Sequence, residues 1–160
     1  MTERREIRSY DYVNHPYAAV RQALTADATG VFTAATRSAS SRAQSVAAAL
    51  RVSIVGLEVS ADIKLSVGAI QQLSGPTPVT RIPVSWEAAE RPGLFPLMDA
   101  ELSVYPLTPT ETQLDFLGRY DLPLSLVGDP ANALIGHRIA EASVHRFVAD
   151  VALYLREHLH

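Results

Sequence analysis

The chain has 160 residues, 17.4 kDa, with 48% hydrophobic and 19% charged side chains, a formal net charge of −3 and no cysteine. One domain of this length, spanning residues 1–160, buries roughly 68–70% of its unfolded surface, and such an apolar chain is not disordered. A pI near 5.9 leaves no basic footprint for nucleic acid, and the lack of cysteine excludes disulfides, thiolate zinc sites and cysteine nucleophiles.

Residues 1–8 (MTERREIR) alternate charges and build no apolar signal-peptide core, and no stretch approaches the roughly 20 apolar residues of a membrane span. The expectation is a cytoplasmic protein. Thirteen of the fourteen basic residues are arginine, with Lys64 the exception, a bias that codon usage in a GC-rich genome accounts for.

Residues 5–13 are rich in β-formers without a clean apolar face, which predicts an edge strand or a strand with one wet face. Asn14, His15 and Pro16 end it, and residues 16–24 read as a short helix with Tyr17, Val20 and Leu24 on one side. From 25 to 49 the chain is Ala, Ser and Thr with few large residues. Val31, Phe32 and Ala35 have helical spacing and Ser38 to Ser41 has none, so this region reads as one or two weak helices around a mobile stretch.

The clearest pattern spans 57–69, where Leu57, Val59, Ala61, Ile63, Leu65, Val67 and Ala69 alternate with polar or small residues. Strict period-two alternation means one buried and one wet face, as in an antiparallel sheet. The phase flips at Val55–Gly56, predicting a bulge or turn there. Three further runs each place one set inward: Ile82, Val84, Trp86 and Ala88; Met98, Ala100, Leu102 and Val104; Leu114, Phe116, Gly118 and Tyr120. Turn chemistry separates them at 74–78 (SGPTP), 90–93 (ERPG) and 106–111 (PLTPTE). Residues 122–130 read as a loop.

The segment from about 130 to 158 is the longest helix. Gly136, His137, Ala140, Val144, Phe147, Val151, Tyr154 and Leu155 share one arc of about 100°. Ile135, Ile139 and Leu153 form a thinner second stripe. An antiparallel sheet with one apolar face must cover it, and this helix is the available cover. The predicted architecture is α+β: a curved antiparallel sheet wrapped around a long C-terminal helix, the helix-grip fold.

This order of elements, with residues 11–20 (DYVNHPYAAV), resembles the START/SRPBCC superfamily of the birch pollen allergen, polyketide cyclases and lipid-transfer domains. Residues 94–102 (LFPLMDAEL), 112–114 (TQL), 118–120 (GRY) and 136–144 (GHRIAEASV) also look like actinobacterial members without assigned function. The resemblance covers essentially the whole chain but brings no universal catalytic motif. It implies a hydrophobic cavity between sheet and terminal helix that binds a lipid, polyketide or similar small apolar ligand.

The inward-facing candidates to line it are Trp86, Met98, Leu102, Phe116, Tyr120, Val144, Phe147 and Tyr154, with His137 at the edge of the helical arc. Gly118 and Ala100 lie among them, and small residues leave room. The same residues read equally as a packed core whose aromatics touch one another. His137 either acts on a ligand carbonyl or bonds to a backbone carbonyl or Glu141. Tyr120 and Tyr154 either place hydroxyls in the pocket or use their rings as core.

His137, Glu141 and His145 stand at i, i+4 and i+8, but eight residues rotate the face by about 80° and carry His145 to the polar side, so no metal site is expected. Asp62, Asp99, Glu101 and Asp115 have outward parity, and Arg119 beside Asp121 reads as a surface ion pair. There is no G-x-S-x-G, G-x-G-x-x-G, P-loop or H-E-x-x-H motif, no catalytic residue is assigned and no cofactor is implied. Leu122 to Leu126 with Val127 reads either as a partner-binding patch or as packing beneath the terminal helix. Three functions follow. The first is a binding protein for a small apolar ligand; the second is a cyclase- or aromatase-like enzyme on the same fold. The third is a protein-interaction module with a filled core, using the outer sheet face or the Ile135/Ile139/Leu153 stripe.

Overall fold

A computed structural model describes residues 4–49, 63–88, 97–122 and 130–159. The chain runs β1 (Arg5–Val13), α1 (Tyr17–Ala49), β2 (Ile63–Val67), β3 (Gln71–Leu73), β4 (Val79–Ala88), β5 (Leu97–Thr108), β6 (Glu111–Asp121) and a terminal helix, here α2 (Pro130–His158). The six strands form one antiparallel sheet in the order β1-β6-β5-β4-β2, with β3 also paired to β4. This is the expected α+β helix-grip architecture, and β1 is an edge strand.

Alternation along the long strands decides which face is inside. Ile82, Val84, Trp86, Met98, Ala100, Leu102, Val104, Leu114, Phe116 and Tyr120 are all buried. Their register aligns them in rows across the sheet: Trp86 pairs with Met98 and Met98 with Tyr120, while Leu102 lies between Ile82 and Phe116. One continuous apolar face results, and α1 and α2 pack over it. The 57–69 alternation holds over β2, where Ile63, Leu65 and Val67 are half-buried and Lys64 and Ser66 exposed. It stops at Gly68, whose amide donates to the Pro83 carbonyl (2.9 Å), and pairing with β4 resumes only at Gln71. The phase flip at Val55–Gly56 lies outside the described residues.

The helical region departs most from expectation. Instead of weak helices around a mobile stretch, 17–49 is one helical element with a kink at Asp27 (φ −151°, ψ 59°), and Ser38 to Ser41 are fully helical. Asp27 is the N-cap of the second half: its Oδ1 accepts the Gly30 amide at 3.1 Å. The kink therefore sits where a side chain replaces the backbone bonds. Beyond it the buried positions are Ala28, Val31, Phe32, Ala35, Thr36, Ala39, Ser40 and Ala43, mostly small. Small side chains hide helical periodicity in the sequence because the surface they meet is another helix, α2, brought near the backbone of α1. Arg146 seals the edge of this contact by donating to Ser38 Oγ (2.7 Å).

Asp27→Ala should lower stability by about 1 kcal/mol, the usual cost of losing an N-cap, read as a lower urea midpoint. An unchanged midpoint would show that the cap does not hold the kink.

The terminal helix buries its predicted arc: Ala140, Val144, Phe147, Val151 and Leu155 are all inaccessible. The second stripe is not a free surface, because Ile139 is fully buried and Ile135 half-buried, leaving Leu153 exposed. Polar side chains fasten α2 to β1. His145 Nδ1 lies 2.8 Å from Ser9 Oγ, and Arg156 reaches Asp11 Oδ1 (2.9 Å) while stacking over the Tyr12 ring. Arg119 and Asp121 do not pair with each other. Arg119 faces Glu6 and Asp121 faces Arg4, both across the β1–β6 ladder, where directly opposed side chains are closer than i, i+2 neighbours on one strand. Among the described residues, no helix is long and apolar enough to cross a membrane.

Candidate functional site

The middle of the space between sheet and α2 is occupied by rings. Phe147 of α2 lies 4.9 Å from Trp86, 5.6 Å from Phe116 and 5.5 Å from Phe32 of α1, all tilted, and Trp86 stacks on Phe116 at 5.9 Å. These are the separations of favourable aromatic pairs, so the four rings pack against one another. Alternation from two strands, β4 and β6, and one helical arc brings Trp86, Phe116 and Phe147 together as the sequence pattern implies. Phe32 completes the group from a helix whose small residues gave no hint of its depth.

The small residues do not leave room here. A Cβ at Gly118 would lie 2.7 Å from Met98 Sδ and 2.8 Å from Phe116 Cε1, so those two buried side chains already fill its space. Leu102 and Val144 are likewise inaccessible.

At one end of this interior the chemistry changes. Tyr120, the last inward residue of β6, lies almost wholly buried, and its hydroxyl is 2.7 Å from Nδ1 of His137 in the second turn of α2. The rings meet edge to face at 5.6 Å. Burial raises the phenol pKa above its ordinary value, opposed by Arg5 and reinforced by Glu141. The hydroxyl therefore keeps its proton at neutral pH. It donates to Nδ1 when the imidazole carries its proton on Nε2; when Nδ1 is protonated the direction reverses. Half-buried His137 and buried Gly136 make the helical wall of this end.

Tyr154 lies elsewhere. It is almost five turns along α2 from His137, roughly 25 Å, and its half-buried ring stacks at 4.0 Å on His158. The two tyrosine hydroxyls therefore do not share a site. Likewise the His137, Glu141, His145 ladder is divided: His137 faces Tyr120 and His145 faces Ser9. Among the described residues no group of three His, Asp or Glu side chains gathers as a metal site requires. Asp99, Glu101 and Asp115 lie on the outer face as their parity implies; Asp62 and the 123–127 part of the loop patch lie outside the described residues, while Leu122 packs against the core.

No protein-family model matches the sequence, and no curated protein matches it either. Solved structures do match in shape. The Zhui aromatase/cyclase of a Streptomyces species superposes with a TM-score of 0.50 at 10% identity, covering 99% of this chain and 97% of that one. Norcoclaurine synthase from Thalictrum flavum, solved with dopamine and hydroxybenzaldehyde, superposes with a TM-score of 0.45 at 11% identity, over 99% of this chain and 90% of that one. At 10% identity the likeness to the aromatase/cyclase establishes the fold alone: this chain has the helix-grip fold.

Proposed function

We propose that the protein binds a small, mostly apolar ligand between the sheet and α2, at the end of the interior where Tyr120 and His137 meet. One observation carries this reading: a 2.7 Å phenol–imidazole pair stands at one end of a mostly apolar inner face, beyond a middle already filled by rings. A few polar groups at the edge of an apolar enclosure are what orients a ligand in most small-molecule sites. A ligand hydroxyl or carbonyl would exchange with, or extend, the Tyr120–His137 bond, and its apolar part would rest on Met98 and the neighbouring wall of α2. The shared fold with an aromatase/cyclase supports an enclosure of this kind.

Native mass spectrometry of protein purified gently from its own source tests this. The expected result is a stoichiometric mass above 17.4 kDa that disappears on denaturation. Tyr120→Phe should then weaken the extracted ligand up to about tenfold, the worth of one hydrogen bond, while the melting temperature falls by a few degrees at most. A clean apo mass, with no thermal shift from fatty acids, sterols or aromatic polyketides, would sink the proposal.

The same pair favours one second reading, a cyclase- or aromatase-like enzyme. A phenol that keeps its proton can donate to a carbonyl oxygen while the imidazole takes the proton from the adjacent carbon. A positioned acid or base contributes roughly 10²–10⁴-fold, so His137→Ala would abolish turnover of a polyketide while leaving it bound. Equal loss of binding and stability would leave the residue a structural one.

A further inference from the structure

The face of the sheet turned away from the helices carries a concavity, on the opposite side from the proposed inner site. Arg8 and Tyr10 of β1, Gln113 and Asp115 of β6 and Tyr105 of β5 line a shallow pocket of about 350 Å³. The register explains the gathering: Tyr10 lies opposite Asp115, and Gln113 lies opposite Tyr105, so outward side chains of three adjacent strands converge. Its size is within the range of small-ligand sites.

The polar part of the pocket is held in place. Arg8 Nε donates to Asp115 Oδ1 at 3.1 Å and Nη2 donates to Oδ2 at 2.7 Å, a two-point pair that fixes both planes. Asp115 is only 14% exposed and Arg8 68%, so the guanidinium still turns N–H groups to solvent. The Tyr105 phenol is near enough to feel both charges: burial and Asp115 raise its pKa and Arg8 lowers it. Tyr10 is 72% exposed, so its ring is open to solvent beside the polar groups.

These features select a ligand class. Arg8 and Asp115 neutralise one another, which removes the attraction for an anion or a cation. What remains is a set of groups that both donate and accept, namely the free guanidinium N–H, carboxylate lone pairs, the Gln113 amide and the phenol, beside an exposed aromatic surface. The complementary molecule is uncharged, carries neighbouring hydroxyls that meet planar two-point groups, and has an apolar C–H face to lie against a ring. We propose that this outer pocket is a binding site for a neutral pyranose sugar.

Titration of the isotope-labelled full-length protein with maltose, cellobiose and methyl glucoside, followed by amide chemical shifts, tests the assignment. The expected result is saturable shifts confined to the outer residues of β1, β5 and β6, with a dissociation constant on the order of 1 mM or somewhat tighter, as a shallow exposed site allows. Tyr10→Ala, which removes an exposed ring and leaves the core intact, should weaken binding at least tenfold, as should Gln113→Ala. Tighter binding of a disaccharide than of methyl glucoside would mark recognition of a glycan chain; equal binding would mark a single ring. Three results would overturn the proposal: no saturable shift with any of the sugars, shifts that persist unchanged in both variants, or the same shifts from glycerol at matched hydroxyl concentration. None of these depends on whether the inner site holds a ligand.

Discussion

Phe147→Ala is expected to lower stability by roughly 3–5 kcal/mol, the usual cost of emptying a fully buried aromatic position. In a chain of this size that corresponds to a fall in melting temperature on the order of 10 °C. The size follows from position: Phe147 is inaccessible and contacts Phe32, Trp86 and Phe116 at once, so its removal strands three rings from three different elements. The cavity left behind cannot collapse easily, because Trp86 and Phe116 are fixed by the β4–β5–β6 ladders. Calorimetry and urea denaturation check it. A loss below about 1 kcal/mol would mean that the ring lies in open space rather than in a packed cluster, and would move the ligand site from the Tyr120–His137 end to the middle of the sheet.

The second large effect is Gly118→Val. Met98 Sδ and Phe116 Cε1 stand at 2.7 and 2.8 Å from the place of the added Cβ, and Ala100 Cβ at 3.4 Å. Met98 can retreat because its thioether is flexible, but the Phe116 ring is held by Trp86 and Phe147. Overpacking of this kind costs about 1–3 kcal/mol, partly offset by about 0.5–1 kcal/mol for removing a glycine from a strand. A net loss of about 2 kcal/mol is expected at the larger end of that range. The double variant Gly118→Val with Met98→Ala should lose less than the sum of the two single losses, a coupling that contacting residues show and distant ones do not. A neutral or stabilising Gly118→Val would reveal empty volume beside β6, contrary to the filled space described above.

Both substitutions bear on the same question, whether the inner face is core or container. The rings answer it for the middle of the sheet, where four aromatic side chains satisfy one another. At the end marked by Tyr120 and His137, a polar pair replaces ring contacts, and the imidazole is only half-buried. The proposed ligand site would use both parts: a rigid floor that fixes the wall, and a polar end that reads the ligand.

The sequence by itself determined the sheet and its buried face. Period-two alternation in β4, β5 and β6 is a local property, and burial of one face enforces it residue by residue, so Trp86, Met98, Leu102 and Phe116 are legible without coordinates. The terminal helix was legible for the same reason, through its arc from His137 to Leu155. What only the tertiary structure decided lies across the chain. The length of α1 was hidden because, past Val31 and Phe32, its buried positions Ala35, Ala39 and Ala43 are small, which leaves no large apolar side chain there to count. The Tyr120–His137 bond depends on how the end of β6 meets the second turn of α2, and the separation of Tyr154 from it depends on the helix running onward past the site. The outer pocket needs the register of three strands, because Arg8, Tyr105 and Asp115 are remote in sequence and meet only when the ladders align. Periodicity states which way a side chain points; only the packing of elements states what it meets there.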